Sequence, residues 1–351
     1  MRALLGTIPL NFLEQTVAKK NKPSKIKSRS TGWAALQIGD IVDVVAPGFS
    51  ISKENLEAAK KFLVDLGLKP RVPDDIFGPD ILCAQTDQKR EQQLKAALLA
   101  KDSKAIWCLR GGYGAIRLID GLRKMKAPPK PKIFVGYSDA TTLHNFLNHF
   151  WGWPTLHGPL LDRLGQHTLP LEQVNEALDI VFGRVDHLVH GDLEPLNSAA
   201  QRKQVLRGRV YGGNLTVTQS HLGTEFGKVP KDAIFVFEDI GERGYRVDRI
   251  LKQFSQANYF KSAKAVIFGD FVGGEERDGT ERVSAVIERF AKESPFAVFR
   301  GLKVGHGERQ RMVPLHTPCE LRCGAHGVLT SATGIAEEAN RPRRSQVRKA
   351  K

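Results

Sequence analysis

The apolar positions of the chain fall into short runs that alternate with helical spacing. Ile41 to Ala46 reads IVDVVA, a β-branched run stopped by Pro47-Gly48. Ser52 follows as an N-cap candidate. Behind it Leu56, Ala59, Phe62, Leu63 and Leu66 sit at helical spacing before Gly67, a C-cap candidate. A second helix is expected over roughly Lys89–Ala100, and strands over Ala105–Leu109 and Ile133–Val135. Each of those strands runs into a glycine-containing turn and a helix. Repeated strand–turn–helix units predict a parallel sheet covered by helices. The pattern weakens over 166–206, which reads as a connection between domains. It resumes at Val210, Ile234–Phe237, Ala265–Phe268, Cys319–Leu321 and Val328–Leu329, with helical spacing over Val247–Phe254 and Val283–Phe290. The pattern therefore divides the chain into an extension (1–35), an α/β domain (36–165), the connection (166–206), a second domain (207–335) and a tail (336–351).

Composition changes this picture little. Of 351 residues, 41% are hydrophobic and 26% charged, as in a globular protein large enough for two cores. No apolar run reaches the ~18–20 residues that cross a bilayer. The start, Met1-Arg2-Ala3-Leu4-Leu5, hints at an export signal, but Pro9 and Asn11 break the run and no A-x-A-like site follows, so it reads as an extension.

The net charge of +15 suggests nucleic acid until it is located. Twelve of those charges lie in two acid-free stretches, Lys19 to Arg29 and Arg341 to Lys351. The body between them is nearly neutral and has no basic patch interleaved with aromatics, so specific nucleic-acid binding is not expected. The ends read as disordered, solvating tails. Cys83, Cys108, Cys319 and Cys323 are too scattered for a disulfide framework, and the C-x₃-C pair lacks a second ligand pair, so no metal is expected.

Chemistry concentrates in two turns. In IFVGYSDATTLHNFL (133–147) a strand ends at Gly136, and Ser138 stands between Gly136 and Ala140 just before a helix. A small-x-Ser-x-small frame fits a nucleophile elbow, which would aim the backbone N–H of Asp139 at a developing oxyanion. Ser138 or Asp139 would equally serve as a helix cap. In the second turn, Arg110-Gly111-Gly112-Tyr113-Gly114, glycines free backbone N–H groups for close approach to a ligand, either a phosphate or an oxyanion. It lacks the G-x-G-x-x-G spacing and the lysine of a P-loop. A nucleophile needs a base and an acid. His306, between two glycines, and His157, in Leu-His-Gly-Pro, compete for the first role. Glu238, at the end of an apolar strand, suits the second, and Asp239 should point the other way.

Taken in order, GDIVDVVAPG (39–48), RGGYG (110–114), FVGYSDAT (134–141), LHGP (156–159), GRVYGGNL (208–215), FEDIGERGYRVDR (237–249) and the GH of 305–306 followed by Pro314 resemble the LD-carboxypeptidase family of serine peptidases. That resemblance implies an N-terminal flavodoxin-like parallel-sheet domain followed by a C-terminal β-rich α/β domain, commonly as a homodimer. It implies Ser138 as nucleophile, His306 as base, Glu238 as its orienting acid, and the N–H groups of Gly112 and Asp139 as oxyanion hole, without cofactor or metal. The implied substrate is a muropeptide tetrapeptide losing its terminal D-alanine in the cytoplasm, during peptidoglycan recycling. Arg110 or Arg246 would bind its carboxylate. Two alternatives stand beside it: a peptidase of the same family cleaving a microcin-like aminoacyl–nucleotide conjugate, and a non-catalytic anion-binding protein. The residues after Pro314, Leu315-His316-Thr317, depart from the glycine usual there in the family, and the basic extensions are atypical of it.

Overall fold

The computed structural model describes residues 32–228 and 231–336. The extension up to residue 31 and the tail from 337 lie outside the described residues. The boundary placed at 35 moves, because Trp33 is fully buried and pairs as an isolated bridge with Ile335, joining the two ends of the described chain.

Among the described residues, thirteen strands form two sheets. The first takes β1 (Ile41–Val45), β2 (Lys69–Arg71), β3 (Ser103–Cys108), β4 (Ile133–Gly136), β5 (Thr155–His157) and β11 (Val313–Leu315) in the order β11-β5-β4-β3-β1-β2. All neighbours are parallel except β11, which returns from far along the chain to pair antiparallel with β5, Pro314 opposite Leu156. Such an edge is where a strand tolerates proline, which has no N–H to give the ladder. Side chains alternate between two faces. Val42, Val44, Ala105, Trp107, Ile133 and Val135 pack on Phe62 and Leu63 of the helix Lys53–Asp65. Ile106, Cys108 and Phe134 face Leu94 and Leu98 of the helix Asp87–Leu99. Ser52 does cap the first of these helices, accepting the N–H of Asn55 at 3.2 Å.

The second sheet closes into a seven-stranded barrel. It comprises β6 (His187–Pro195), β7 (Val205–Asn214), β8 (Ala233–Ile240), β9 (Ala263–Val272), β10 (Ala297–Arg300), β12 (Pro318–Arg322) and β13 (Gly327–Ala332), in the order β10-β6-β13-β12-β7-β8-β9. β7 to β10 run parallel in succession and the remaining neighbours are antiparallel. Ile234, Val236, Ile267 and Phe299 fill the inside. Phe235, Phe237 and Phe268 point outward against Val247 and Phe254 of the helix Gly244–Gln256 and Phe290 of Val283–Glu293.

The stretch 166–206 is more than a connection. It holds the helix Leu171–Val181 and the barrel stave β6. Its weak pattern has a physical cause: β6 reads HLVHGDLEP, in which only Leu188, His190 and Leu193 are buried, the alternation slips by one residue between His190 and Leu193, and one of the three is polar.

Candidate active site

Three loops gather at the carboxyl ends of β1, β3 and β4, where open α/β sheets place their ligands. The loop after β4 carries Ser138 at φ 62°, one of the few non-glycine residues in left-handed backbone. Such a residue costs on the order of 1 kcal/mol and persists only where its surroundings over-determine it. They do so here. A Cβ on Gly136 would lie 2.8 Å from the Cβ of Ala140, and one on Gly111 would lie 2.8 Å from the Cβ of Ser138. His144, one turn on, donates its Nε2 hydrogen to the Gly136 carbonyl at 2.8 Å. Burial pushes the titration of that ring down to about 4, so the imidazole is a neutral fixture of the turn.

The capping alternative fails on the hydrogen bonds. The turn Ser138–Ala140 starts with Tyr137 in the N-cap position and no side-chain cap. The Asp139 carboxylate instead accepts the Ala115 N–H at 2.9 Å, tying the elbow to the Arg110–Gly114 loop. Burial raises that carboxyl to about 6, opposed by the N–H groups of Ala115 and Gly114. Gly112 stands at φ 100°, and its missing side chain leaves room for the Phe49 ring lying over it.

The barrel supplies the other half. Glu238 is fully buried near the end of β8, and its Oε2 accepts the Nδ1 hydrogen of His306 at 2.6 Å. With Nδ1–H donating to Glu238, Nε2 is left as the basic nitrogen. The two glycines beside His306 are explained by what they avoid. A Cβ on Gly305, at φ 139°, would sit 3.1 Å from the Cβ of Glu238 and 3.0 Å from that of Asp270, and one on Gly307 would sit 2.5 Å from Asp270 Oδ2. Asp239 points away from Glu238, as strand alternation requires. It accepts from Asn214 Nδ2 at 2.9 Å and from the Thr216 N–H and hydroxyl at 2.9 and 2.8 Å.

The halves meet through Tyr137, the residue before the serine. Its ring lies 4.7 Å from that of His306, and its hydroxyl accepts from Gln310 Nε2 at 3.1 Å. The His306 segment is clamped from the N-terminal side as well, by a paired contact of the Arg311 guanidinium with Glu176 and by Gln173, which accepts the Gln310 N–H at 2.6 Å. His306 opens onto a shallow cleft of about 670 Å³ shared with Arg163, His167, Pro170, Val272 and Glu308.

His157, the rival base, is buried on β5 under the Tyr137 ring, 5.9 Å between centroids, and burial holds it well below the usual histidine range. It lies beneath the site as a neutral ring. Arg110 is exposed beside the glycine loop and, with Arg163, offsets the burial of Asp162. Arg246 lies on the exposed face of the helix Gly244–Gln256, 3.6 Å from Glu242 and hydrogen-bonded to the Tyr245 hydroxyl. Cys319 and Cys323 are buried free thiols, and among the described residues no group of three or more His, Cys, Asp or Glu side chains is placed to hold a metal ion. The sequence reasoning missed Tyr137, Gln310 and Asp270. Of these only Asp270 carried a signal, an acid two residues past the apolar run Ala265–Phe268 on the strand beside Glu238.

Comparison with known proteins identifies the family of the chain. Residues 42–158 match the model of the LD-carboxypeptidase N-terminal domain and 207–321 that of the LD-carboxypeptidase C-terminal domain. A putative carboxypeptidase of Rickettsia conorii is 34% identical over 76% of this chain and 82% of its own length. The murein tetrapeptide carboxypeptidase of Pseudomonas aeruginosa is 30% identical over 78% of this chain and 90% of its own. At 19% identity the likeness to the microcin C7 self-immunity protein, solved with aspartyl sulfamoyl adenosine, is one of fold, with a TM-score of 0.74 over 87% of this chain and 99% of that one. A serine turn after β4 and a His306–Glu238 pair that meets it through the Tyr137 ring, in a chain matched by both domain models, lead to one conclusion: the protein belongs to the LD-carboxypeptidase family of serine-type peptidases.

Proposed function

We propose that the protein removes the terminal D-alanine from muropeptide tetrapeptides by acyl-enzyme catalysis, with Ser138, His306 and Glu238 as the reacting triad. The observation that carries this is the 2.6 Å bond from His306 Nδ1 to the buried Glu238, in a segment packed against the residue before a serine held at φ 62°. Neutral His306 takes the Ser138 proton on Nε2 as Oγ adds to the carbonyl at the L-centre of the substrate's diamino acid. Glu238 offsets the imidazolium charge. The N–H groups of Gly112 and Asp139 receive the oxyanion. Collapse breaks the C–N bond, and the imidazolium returns its proton to the departing D-alanine amine. Water, deprotonated by the same ring, then hydrolyses the ester and restores Ser138. Arg110 is the better placed of the two proposed carboxylate ligands, since Arg246 is engaged with Glu242.

A cytoplasmic homodimer serving peptidoglycan recycling belongs to the same reading. Among the described residues no helix is long and apolar enough to cross a membrane. The murein tetrapeptide activity of the Pseudomonas relative supports the substrate. The shared fold of the microcin immunity protein keeps an aminoacyl–nucleotide conjugate as the second substrate to try.

The test is incubation with a disaccharide tetrapeptide muropeptide and mass spectrometry, beside Ser138→Ala. Loss of one alanine by wild type alone is expected. No loss from either protein overturns the substrate and sends the same pair of proteins to aminoacyl sulfamoyl adenosines. Loss from both overturns the nucleophile.

A further inference from the structure

A second carboxylate stands at His306, and neither its sequence motif nor the triad accounts for it. The parallel register of β8 and β9 runs Phe237 opposite Phe268 but Asp239 opposite Phe271. Glu238 alone therefore faces two residues of β9, Gly269 and Asp270. This is a β-bulge, the device that re-aims a side chain next to a site. Gly269 is small because a Cβ there would come 2.4 Å from the Val304 carbonyl oxygen. The extra residue, Asp270, is turned against the His306 loop. Its backbone N–H donates to the Val304 carbonyl at 2.8 Å, and its carboxylate lies where a Gly307 side chain would be. It is half-buried, and no hydrogen bond or ion pair engages its side chain among the described residues.

We propose that Asp270 is a positioning residue of this active site, a second negative charge beside Glu238 that steadies the His306 imidazolium. The inference rests on the triad reading above. The groups facing Asp270 are Glu238 from β8 and His306 and Arg309 from the loop beyond β10. Burial and Glu238 drive its carboxyl up to about 6, against the pull of Arg309 and His306. It is charged at neutral pH and neutral in mild acid. Its carboxylate favours the protonated ring that exists only after Ser138 has given up its proton, so it favours the transition state over the resting enzyme. A shape-filling residue in a bulge would do neither.

The experiment compares wild type with Asp270→Asn, and with Asp270→Ala should the amide not fold. Two readouts are taken on the full chain: the pH profile of turnover and the pH titration of the His306 ring signal by NMR, assigned against His306→Ala. Removing a negative charge weakens the protonated ring. The ring titration should therefore move to lower pH by about one unit, the size expected of an adjacent charge. The acid limb of turnover should follow it, and maximal kcat should fall about tenfold with KM little changed. The ring signal needs no substrate, so it tests Asp270 even if the muropeptide is wrong. An unmoved ring midpoint in a folded variant overturns the proposal, and so does a lower melting temperature accompanied by an unchanged acid limb.

Discussion

The two halves of the site are held by different means. Ser138 is fixed by its own backbone: a left-handed residue pressed between Gly111, Gly136 and Ala140, all within thirty residues of it. His306 stands between two glycines and is fixed by distant residues. Glu238 holds its ring, Asp270 and Glu238 shape the glycines around it, and Gln173, Glu176 and Tyr137 anchor the residues that follow. In the proposed triad the nucleophile must be presented at one unusual angle, and local strain does this. The proposed proton shuttle must keep one tautomer and one face toward its partner, and this takes charge and hydrogen bonds from other elements.

That contrast can be broken at each side. The largest effect is expected from Ser138→Gly. It removes the proposed nucleophile and the left-handed strain together, so turnover of the cognate substrate should fall by about 10⁴ or more, while thermal unfolding shows stability unchanged or raised by about 1 kcal/mol. A loss of stability would mean that Ser138 is not strained. Next is Gly305→Ala on the barrel side. With φ at 139° and two side chains within about 3 Å of the new methyl, the variant should lose about 2–3 kcal/mol by denaturant titration and most of its kcat together. Strain thus serves function at one residue and would oppose it at the other.

The smallest effect concerns the tie between elbow and glycine loop. The Asp139 carboxyl rises from 3.8 to about 6 on folding, chiefly by burial. A raised carboxyl binds more protons in the folded state across that window, so its contribution to stability falls as pH rises from about 4 to 6. Asp139→Asn keeps an acceptor for the Ala115 N–H and should flatten this part of the stability–pH curve. An unchanged slope would show that Asp139 titrates normally.

The same contrast governs what could be read from the chain. The elbow was legible because its determinants are contiguous: a strand, a small-x-Ser-x-small frame and a helix start within a few residues. Left-handed backbone at Ser138 and the absence of a side-chain cap on its turn favour the elbow over the cap. The Lys53–Asp65 helix was legible for the same reason, since cap and apolar stripe are both local. On the barrel side the strand end at Glu238 could be seen, but not its partner. Choosing His306 over His157 needed the family resemblance, because only the register of the barrel brings residues 238 and 306 together. Strands β5, β10 and β11 escaped notice because each is three or four residues long and owes its pairing to chain far away. Asp270 escaped because a bulge cannot be seen in one strand alone.

Strand β11 has a consequence for what counts as a unit of this protein. The stretches that match the two family domains end at 158 and begin again at 207, which invites cutting the chain between them. The first piece would then finish in Thr155-Leu156-His157, a buried strand stripped of the antiparallel neighbour that Val313–Leu315 provides. Its bare ladder of N–H and C=O groups would be an adhesive edge, open to any other strand. What is inherited as two modules is therefore finished as one object, and the last stitch is made by residues immediately downstream of the His306 segment.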